Sequence, residues 1–260
     1  MQSALVVAWH NPKQIAEFKE AWKIQSGHQV YFQQDKDKEG CAVTKNKGIR
    51  RAYDDGAEMI VVLDDDCYPK DEHYTLQNLF EDYESALKPQ KVLMYYAITQ
   101  PRSRGTPYLN RTIQMPVAAA LGYALKFPDL DAASSLVLGS QIEIGMLKQP
   151  IHGRYFSGCG MNFAFRREWI DCVQFINIPR FDDIWMFLIF QKIAYAKGFC
   201  FSLEGPDVIH QRQSNIWRNL QDEVKYLEIN ETLWQTIHAA PSCLSASELR
   251  DKLFLSYPRT

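Results

Sequence analysis

Up to Ala97 the chain alternates short apolar runs with stretches of helical spacing. Leu5 to Trp9 is a short apolar strand, His10-Asn11-Pro12 breaks it, and Ile15, Phe18, Ala21 and Trp22 then recur at helical spacing. Gln29 to Gln33 supplies a second strand ending at Gln34-Asp35. A loop rich in Lys, Asp, Glu and Gly leads into a helix from about Ala42 to Asp55, closed by Gly56. Met59 to Leu63 is a third strand. Asp71 is the expected N-cap of a helix carrying Tyr74, Leu76, Leu79, Phe80, Tyr83 and Leu87, stopped by Pro89 before a strand from Lys91 to Ala97. Strands alternating with helices in this way predict an α/β fold built on a parallel, doubly wound sheet.

After Ile98 the pattern loosens as far as about Pro150, a segment with several prolines and glycines that reads as an insertion over the active face. Order resumes from Tyr155 to Arg166. The spacing then predicts a helix over Asp183 to Lys197, strands near Phe199 to Leu203 and Asp207 to His210, and a helical part from about Leu220. With no internal repeat, one domain is expected over 1–260, in three stretches: 1–98, 99–218 and a helical tail over 219–260.

Composition narrows the classes of function. A chain of 260 residues with 46% hydrophobic positions can bury a sizeable core, and a net charge of −2 excludes a global basic field for nucleic acid or anionic membranes. Six cysteines without a CxxC or zinc spacing predict buried, reduced thiols. Met1-Gln2-Ser3-Ala4 lacks a signal-peptide pattern, so a cytoplasmic location is expected. Met115 to Leu125 and Ile184 to Phe190 fall short of the ~20 residues needed to span a bilayer, and both read as buried core.

The candidate chemistry is acidic. Asp64, Asp65 and Asp66 follow a buried strand, where three like charges repel one another unless a divalent cation relieves them. In open α/β sheets this C-terminal edge is where ligands bind. The triplet satisfies a D-x-D pattern, suited to a Mn²⁺ or Mg²⁺ ion bridging the phosphates of a nucleoside diphosphate. Asp182-Asp183 precede a helix. One aspartate could cap it, leaving the other to orient an acceptor or to face developing positive charge. His210 ends a strand and is either structural or a third metal ligand. Arg102, Arg104 and Arg111 form a basic loop that either is solvated or meets a diphosphate or anionic acceptor.

Taken in order, these segments resemble the reversibly glycosylated polypeptides, the UDP-arabinopyranose mutase family. Lys45-Asn46 followed by Asp64-Asp65-Asp66-Cys67 looks like that family's donor-binding region, and Gln34-Asp35-Lys36-Asp37 is similar to its Q-D-G-D loop. Arg104-Gly105-Thr106-Pro107-Tyr108 resembles R-G-Y-P-F, whose arginine becomes glycosylated. Pro128-Asp129-Leu130-Asp131-Ala132 resembles P-D-Y-D-A. Cys159 to Phe165 is similar to C-G-M-N-L-A-F, Arg180 to Trp185 to R-Y-D-D-M-W, and Ile209-His210 with Ser214-Asn215 to Y-H-S-K-A-S-N.

The resemblance implies a glycosyltransferase-A fold: a Rossmann-like mixed sheet flanked by helices, with a helical C-terminal part. It further implies a UDP-sugar donor with Mn²⁺ or Mg²⁺. Asp64 and Asp66 would serve ribose and metal, with His210 completing the metal shell. Asp35, Lys45, Asn46, Asp65 and Asn162 would belong to the donor site, and Asp182 and Asp183 would sit by the sugar. Arg104 would be the special arginine. The chain is shorter than the plant proteins and has Thr106 where they carry an aromatic. The family's relatives include transferases, among them bacteriophage enzymes suspected of adding arabinose to hydroxymethylated cytosine in DNA. Retaining transfer from UDP-arabinose to a hydroxyl acceptor, including hydroxymethylated DNA, is therefore the first expectation. Pyranose–furanose isomerisation of the UDP-sugar is the second, and a non-enzymatic sugar-nucleotide or nucleic-acid binding module is the third. Oligomeric state is left open.

Overall fold

The computed structural model describes residues 1–94, 111–127, 130–138, 148–211 and 215–256. Ser3–Trp9 (β1), Val30–Gln34 (β2) and Met59–Asp64 (β3) run parallel, joined through Pro12–Ala21 (α1) and Cys41–Asp54 (α2). Asn11, read as a breaker, caps α1: its side chain accepts the Lys13 amide at 3.0 Å, with Pro12 in the first turn. β1 and β3 are apolar at nearly every position because both sheet faces are covered there, whereas β2, at the sheet edge, ends in Gln33-Gln34. Ile60 and Val62 join the core on the α2 side, while Val61 and Leu63 pack with Phe18, Trp22, Leu79 and Tyr83 on the other.

Cys67–Tyr68 (β4) and Leu76–Ala86 (α3) follow. The helix begins later than expected: Thr75, not Asp71, is its N-cap, in a capping box with Asn78, and Asp71 instead accepts the His73 amide in the preceding turn. Gln90–Leu93 (β5) also departs from expectation, pairing antiparallel with Thr112–Met115 (β6) outside the main sheet. Of its four side chains only Val92 is buried, an alternation that suits a strand covered on one face.

A central place in the main sheet goes to Val117–Leu121 (β7), buried at every position, from within the segment read as an insertion. Ala124–Leu125 (β8), Ala132–Leu138 (α4) and Pro150–Ile151 (β9) come next. Asn162–Arg166 (β10) lies between β3 and β7, antiparallel to both, so the sheet is mixed rather than all-parallel. Asp182–Ala196 (α5) is apolar almost all round and buried under the sheet, and Cys200–Ser202 (β11) completes the order β2-β1-β3-β10-β7-β11-β9. Val208–His210 (β12) pairs with β4 and β8, and Ile216–Glu223 (α6), Leu227–Ala239 (α7) and Ala246–Ser256 (α8) form the helical C-terminal part, α7 and α8 packing on α5. A mixed sheet flanked by helices is the architecture expected of a glycosyltransferase-A fold.

No helix among the described residues is long and apolar enough to cross a membrane. The six cysteines are free thiols. Cys67, Cys172 and Cys200 are buried as expected, whereas Cys41 and Cys243 are exposed.

Candidate functional site

A cavity of about 560 Å³ opens where β3, α2, α5 and β12 converge, and Lys45, Asp64, Asp66, Asp182, Asp183 and His210 all line it. Residues far apart in sequence are thus brought to one site. How they face it follows from local geometry.

The side-chain alternation of β3 carries Asp64 to the face of Ile60 and Val62, where α2 supplies Lys45. The Lys45 ammonium lies 2.5 Å from Asp64 Oδ1 and donates to the Gly160 carbonyl at 3.1 Å. Burial, the largest single influence, would discharge this lysine, but Asp64 together with Cys41 and Asp182 outweighs it and raises its pKa well above the ordinary value. Asp65 points elsewhere: its Oδ1 accepts the Gln14 amide of α1 at 3.0 Å. Asp66 lies 3.4 Å from His210 Nε2, and His210 Nδ1 is 2.6 Å from the Phe127 carbonyl. Since a carbonyl oxygen only accepts, Nδ1 carries a hydrogen, and Nε2 is the nitrogen turned to Asp66.

Across the cavity, Phe181 adopts a left-handed conformation (φ 61°) at the N-cap of α5, uncommon for a residue with a side chain. It starts the helix with two aspartates in its first turn. Asp183 Oδ2 accepts the Gly160 amide at 2.7 Å and Oδ1 its neighbour Ile184's amide at 2.8 Å. Asp182 has a pKa pushed up to about 7, first by burial and then by Asp183, with Lys45 opposing. The pair therefore divides into an anchored carboxylate and a proton-holding one.

The remaining expected residues support the walls. Asp35 is not on the cavity wall; its carboxylate accepts the Glu39 and Gly40 amides at 2.9 and 3.2 Å, closing the loop that enters α2. Asn46 both donates to and accepts from the Phe175 backbone at 2.8 Å. Asn162, buried below the cavity, accepts from Tyr83 at 2.5 Å and donates to the Pro206 carbonyl at 2.8 Å. Arg102, Arg104 with the rest of its segment through Tyr108, Pro128-Asp129 and Ser214 lie outside the described residues.

Several wall residues had no motif to announce them. Gly40, Cys41 and Ala42 line the cavity at the start of α2, where Gly40 (φ 99°) leaves the helix without a side-chain cap, an N-terminus of the kind that receives anions. Buried Glu223 of α6 accepts from Arg180 at 2.9 Å and from the Ala132 amide at 2.7 Å, so the expected tail forms part of the wall. Asp131, flagged only by its motif, lines the cavity and caps α4 through Ser134.

A mixed α/β sheet whose strands end at an acidic cavity, beside an open helix N-terminus, has the ligand-site layout of open α/β proteins, at the carboxyl ends of the strands. The profile of the reversibly glycosylated polypeptide family matches residues 56–251, well over half of the sequence. The chain belongs to that family. It is 27% identical over 201 residues to the "Probable UDP-arabinopyranose mutase 1" of Pisum sativum, covering 70% of this chain and 55% of the relative. It is 26% identical over 185 residues to the "UDP-arabinopyranose mutase 1" of Arabidopsis thaliana, covering 65% and 52%. The chain spans about half the length of the curated relatives it matches. A solved structure of a putative nucleotide-diphospho-sugar transferase from Desulfovibrio desulfuricans overlaps with a TM-score of 0.39 at 12% identity, over 100% of this chain and 99% of the other.

Proposed function

We propose that this protein is an enzyme acting on a UDP-sugar, and that its reaction is the interconversion of pyranose and furanose forms of UDP-arabinose. The observation that carries the reading is the facing of Asp64, Asp66 and His210 by Asp182 and Asp183 across one cavity, within a chain of this family. The activity named for the relatives favours isomerisation over the transfer that chain length suggested.

Breaking the bond between the anomeric carbon and the diphosphate leaves positive charge on the sugar and negative charge on UDP. Asp183, fixed by two backbone amides, holds a carboxylate toward the first. The α2 N-terminus offers amides to the second. Asp182, near half-protonated around pH 7, is placed to exchange a proton with a sugar oxygen as the ring reforms.

No group of three or more His, Cys, Asp or Glu side chains among the described residues is arranged to hold a metal ion. The donor set still fits one. Asp66 and an Nε2 oriented by Phe127 converge, and a neutral imidazole nitrogen beside a carboxylate calls for a proton or a cation between them. Divalent ions at such sites commonly take one or two side chains and complete their shell from phosphate. Asp66 and His210 would hold the ion, Asp64 being engaged by Lys45. When bound, the ion would neutralise charge on the departing diphosphate.

Incubation with UDP-arabinopyranose and Mn²⁺, without acceptor, tests the reading: a furanose nucleotide is expected. Product formed only when a hydroxyl acceptor is added, hydroxymethylated DNA included, would overturn isomerisation in favour of transfer. Full turnover in EDTA would overturn the metal assignment.

A further inference from the structure

The Gly160 peptide is held from both sides. Its amide donates to Asp183 Oδ2 at 2.7 Å, and its carbonyl accepts the Lys45 ammonium at 3.1 Å, which in turn lies 2.5 Å from Asp64 Oδ1. One chain of contacts, Asp64–Lys45–Gly160–Asp183, therefore runs beneath the cavity from the strand carrying one acidic group to the helix carrying the other. The neighbouring residue strengthens it: Asn46 clasps the Phe175 backbone in both directions, and the Phe175 ring centroid lies 5.0 Å from the Lys45 ammonium. Gly160 has no room for a side chain. A Cβ there would stand 2.5 Å from Phe175 Cε1 and 2.7 Å from Asp183 Cβ. Lys45 itself is 4% exposed, and its ammonium is already engaged by two protein oxygens.

We infer that Lys45 is a positioning residue rather than a donor-binding one: through the Gly160 peptide it sets the separation of Asp64 from the Asp182-Asp183 pair. The inference rests on the proposed UDP-sugar reaction. Its physical logic is that two carboxylate-bearing elements repel each other, and a buried cation between them holds them at a working distance without touching the substrate. A residue contacting the diphosphate contributes to affinity, whereas a brace contributes to the rate, because misplacement by about 1 Å can cost on the order of 100-fold in turnover.

The test compares Lys45→Met with wild type for UDP affinity by calorimetry in Mn²⁺ and for turnover of the UDP-sugar. The brace predicts a fall in turnover of about 100-fold with UDP affinity kept within about threefold. A tenfold or greater loss of UDP affinity with turnover at saturation intact would overturn it. Lys45→Met leaves Asp64 without its buried partner and could fail to fold, so Gly160→Ala is the second probe. It retains every charge while its methyl presses on Phe175 and Asp183, and it should show the same split. A folded Gly160→Ala variant with wild-type turnover would overturn the brace. Amide exchange at Gly160 separates this inference from the reaction on which it rests: exchange about tenfold faster in Lys45→Met is expected, and unchanged protection overturns the brace whatever the substrate. If wild type neither binds UDP nor turns over a UDP-sugar, the proposed function fails while the exchange result still decides the brace.

Discussion

Two runs of adjacent aspartates reach the cavity, and the molecule treats them differently. Asp64 ends a buried strand and Asp65-Asp66 form the turn that follows it, so successive side chains diverge: Asp64 meets Lys45, Asp65 meets Gln14, and Asp66 meets His210. Asp182-Asp183 begins a helix, where amides rather than cations are at hand. Asp183 takes two of them, and burial, then the neighbouring Asp183 charge, raise the affinity of Asp182 for its proton. The same residue type in tandem is thus met by a lysine, a glutamine amide and a histidine in one place and by backbone amides and a retained proton in the other. Backbone conformation at each position decides which.

The sharpest break of this comparison is between the two members of the helix pair. Asp182→Asn should lower turnover by roughly 100-fold to 10,000-fold with the fold retained, read from initial rates, because it removes a proton-exchanging group. Within the triplet, Asp66→Asn should lower turnover by about 100-fold or more, whereas Asp65→Asn should change it by less than about threefold. Equal losses at both positions would show that the turn after β3 does not sort them.

Stability separates the pair again. Because the folded-state pKa of Asp182 is raised to about 7 above its ordinary value of 3.8, the native protein binds this proton more tightly than the unfolded chain. Its contribution is fully present below pH ~4 and is lost as pH rises through about 7. Asp182→Asn should therefore flatten the pH dependence of the denaturation midpoint and be relatively more stable than wild type at pH 8. A buried charge with a partner should respond more strongly to truncation. Glu223→Ala strips Arg180 and the Ala132 amide of their acceptor and should cost about 3 kcal/mol by urea unfolding. The smallest effect is expected for the exposed Lys47–Glu39 pair, where Glu39→Gln should leave the urea midpoint nearly unchanged.

Much of the first half was legible because local signals and tertiary demands agree there. The apolar runs of β1 and β3 are covered on both faces, and the Asn11-Pro12 start of α1 and the Gly56 end of α2 serve as local punctuation. Asp71 misled because an aspartate before a helical pattern can cap an earlier turn, as it does for His73. Val117 to Leu121 is buried as expected of Met115 to Leu125, but its strand was not legible because three alanines carry no periodicity that distinguishes a buried strand from a buried helix. In the site, the acidic residues and His210 announced themselves by falling at element ends. Glu223 did not: a glutamate on an amphipathic helix reads as solvated until Arg180 and the Ala132 amide are brought against it.

By itself, then, the sequence determined the α/β alternation, the placing of carboxylates at a strand end and a helix start, and a family resemblance that matching over residues 56–251 bears out. These are properties of neighbouring residues, fixed by periodicity and local charge. Only the tertiary structure decided that β10 runs antiparallel through the sheet, that Asp65 faces away from the cavity, and that Lys45 spends its charge on Asp64 and Gly160. Partners so distant in the chain meet only when packing closes the core. The energy of a buried charge depends on what lies within a few ångströms of it, which no stretch of sequence carries.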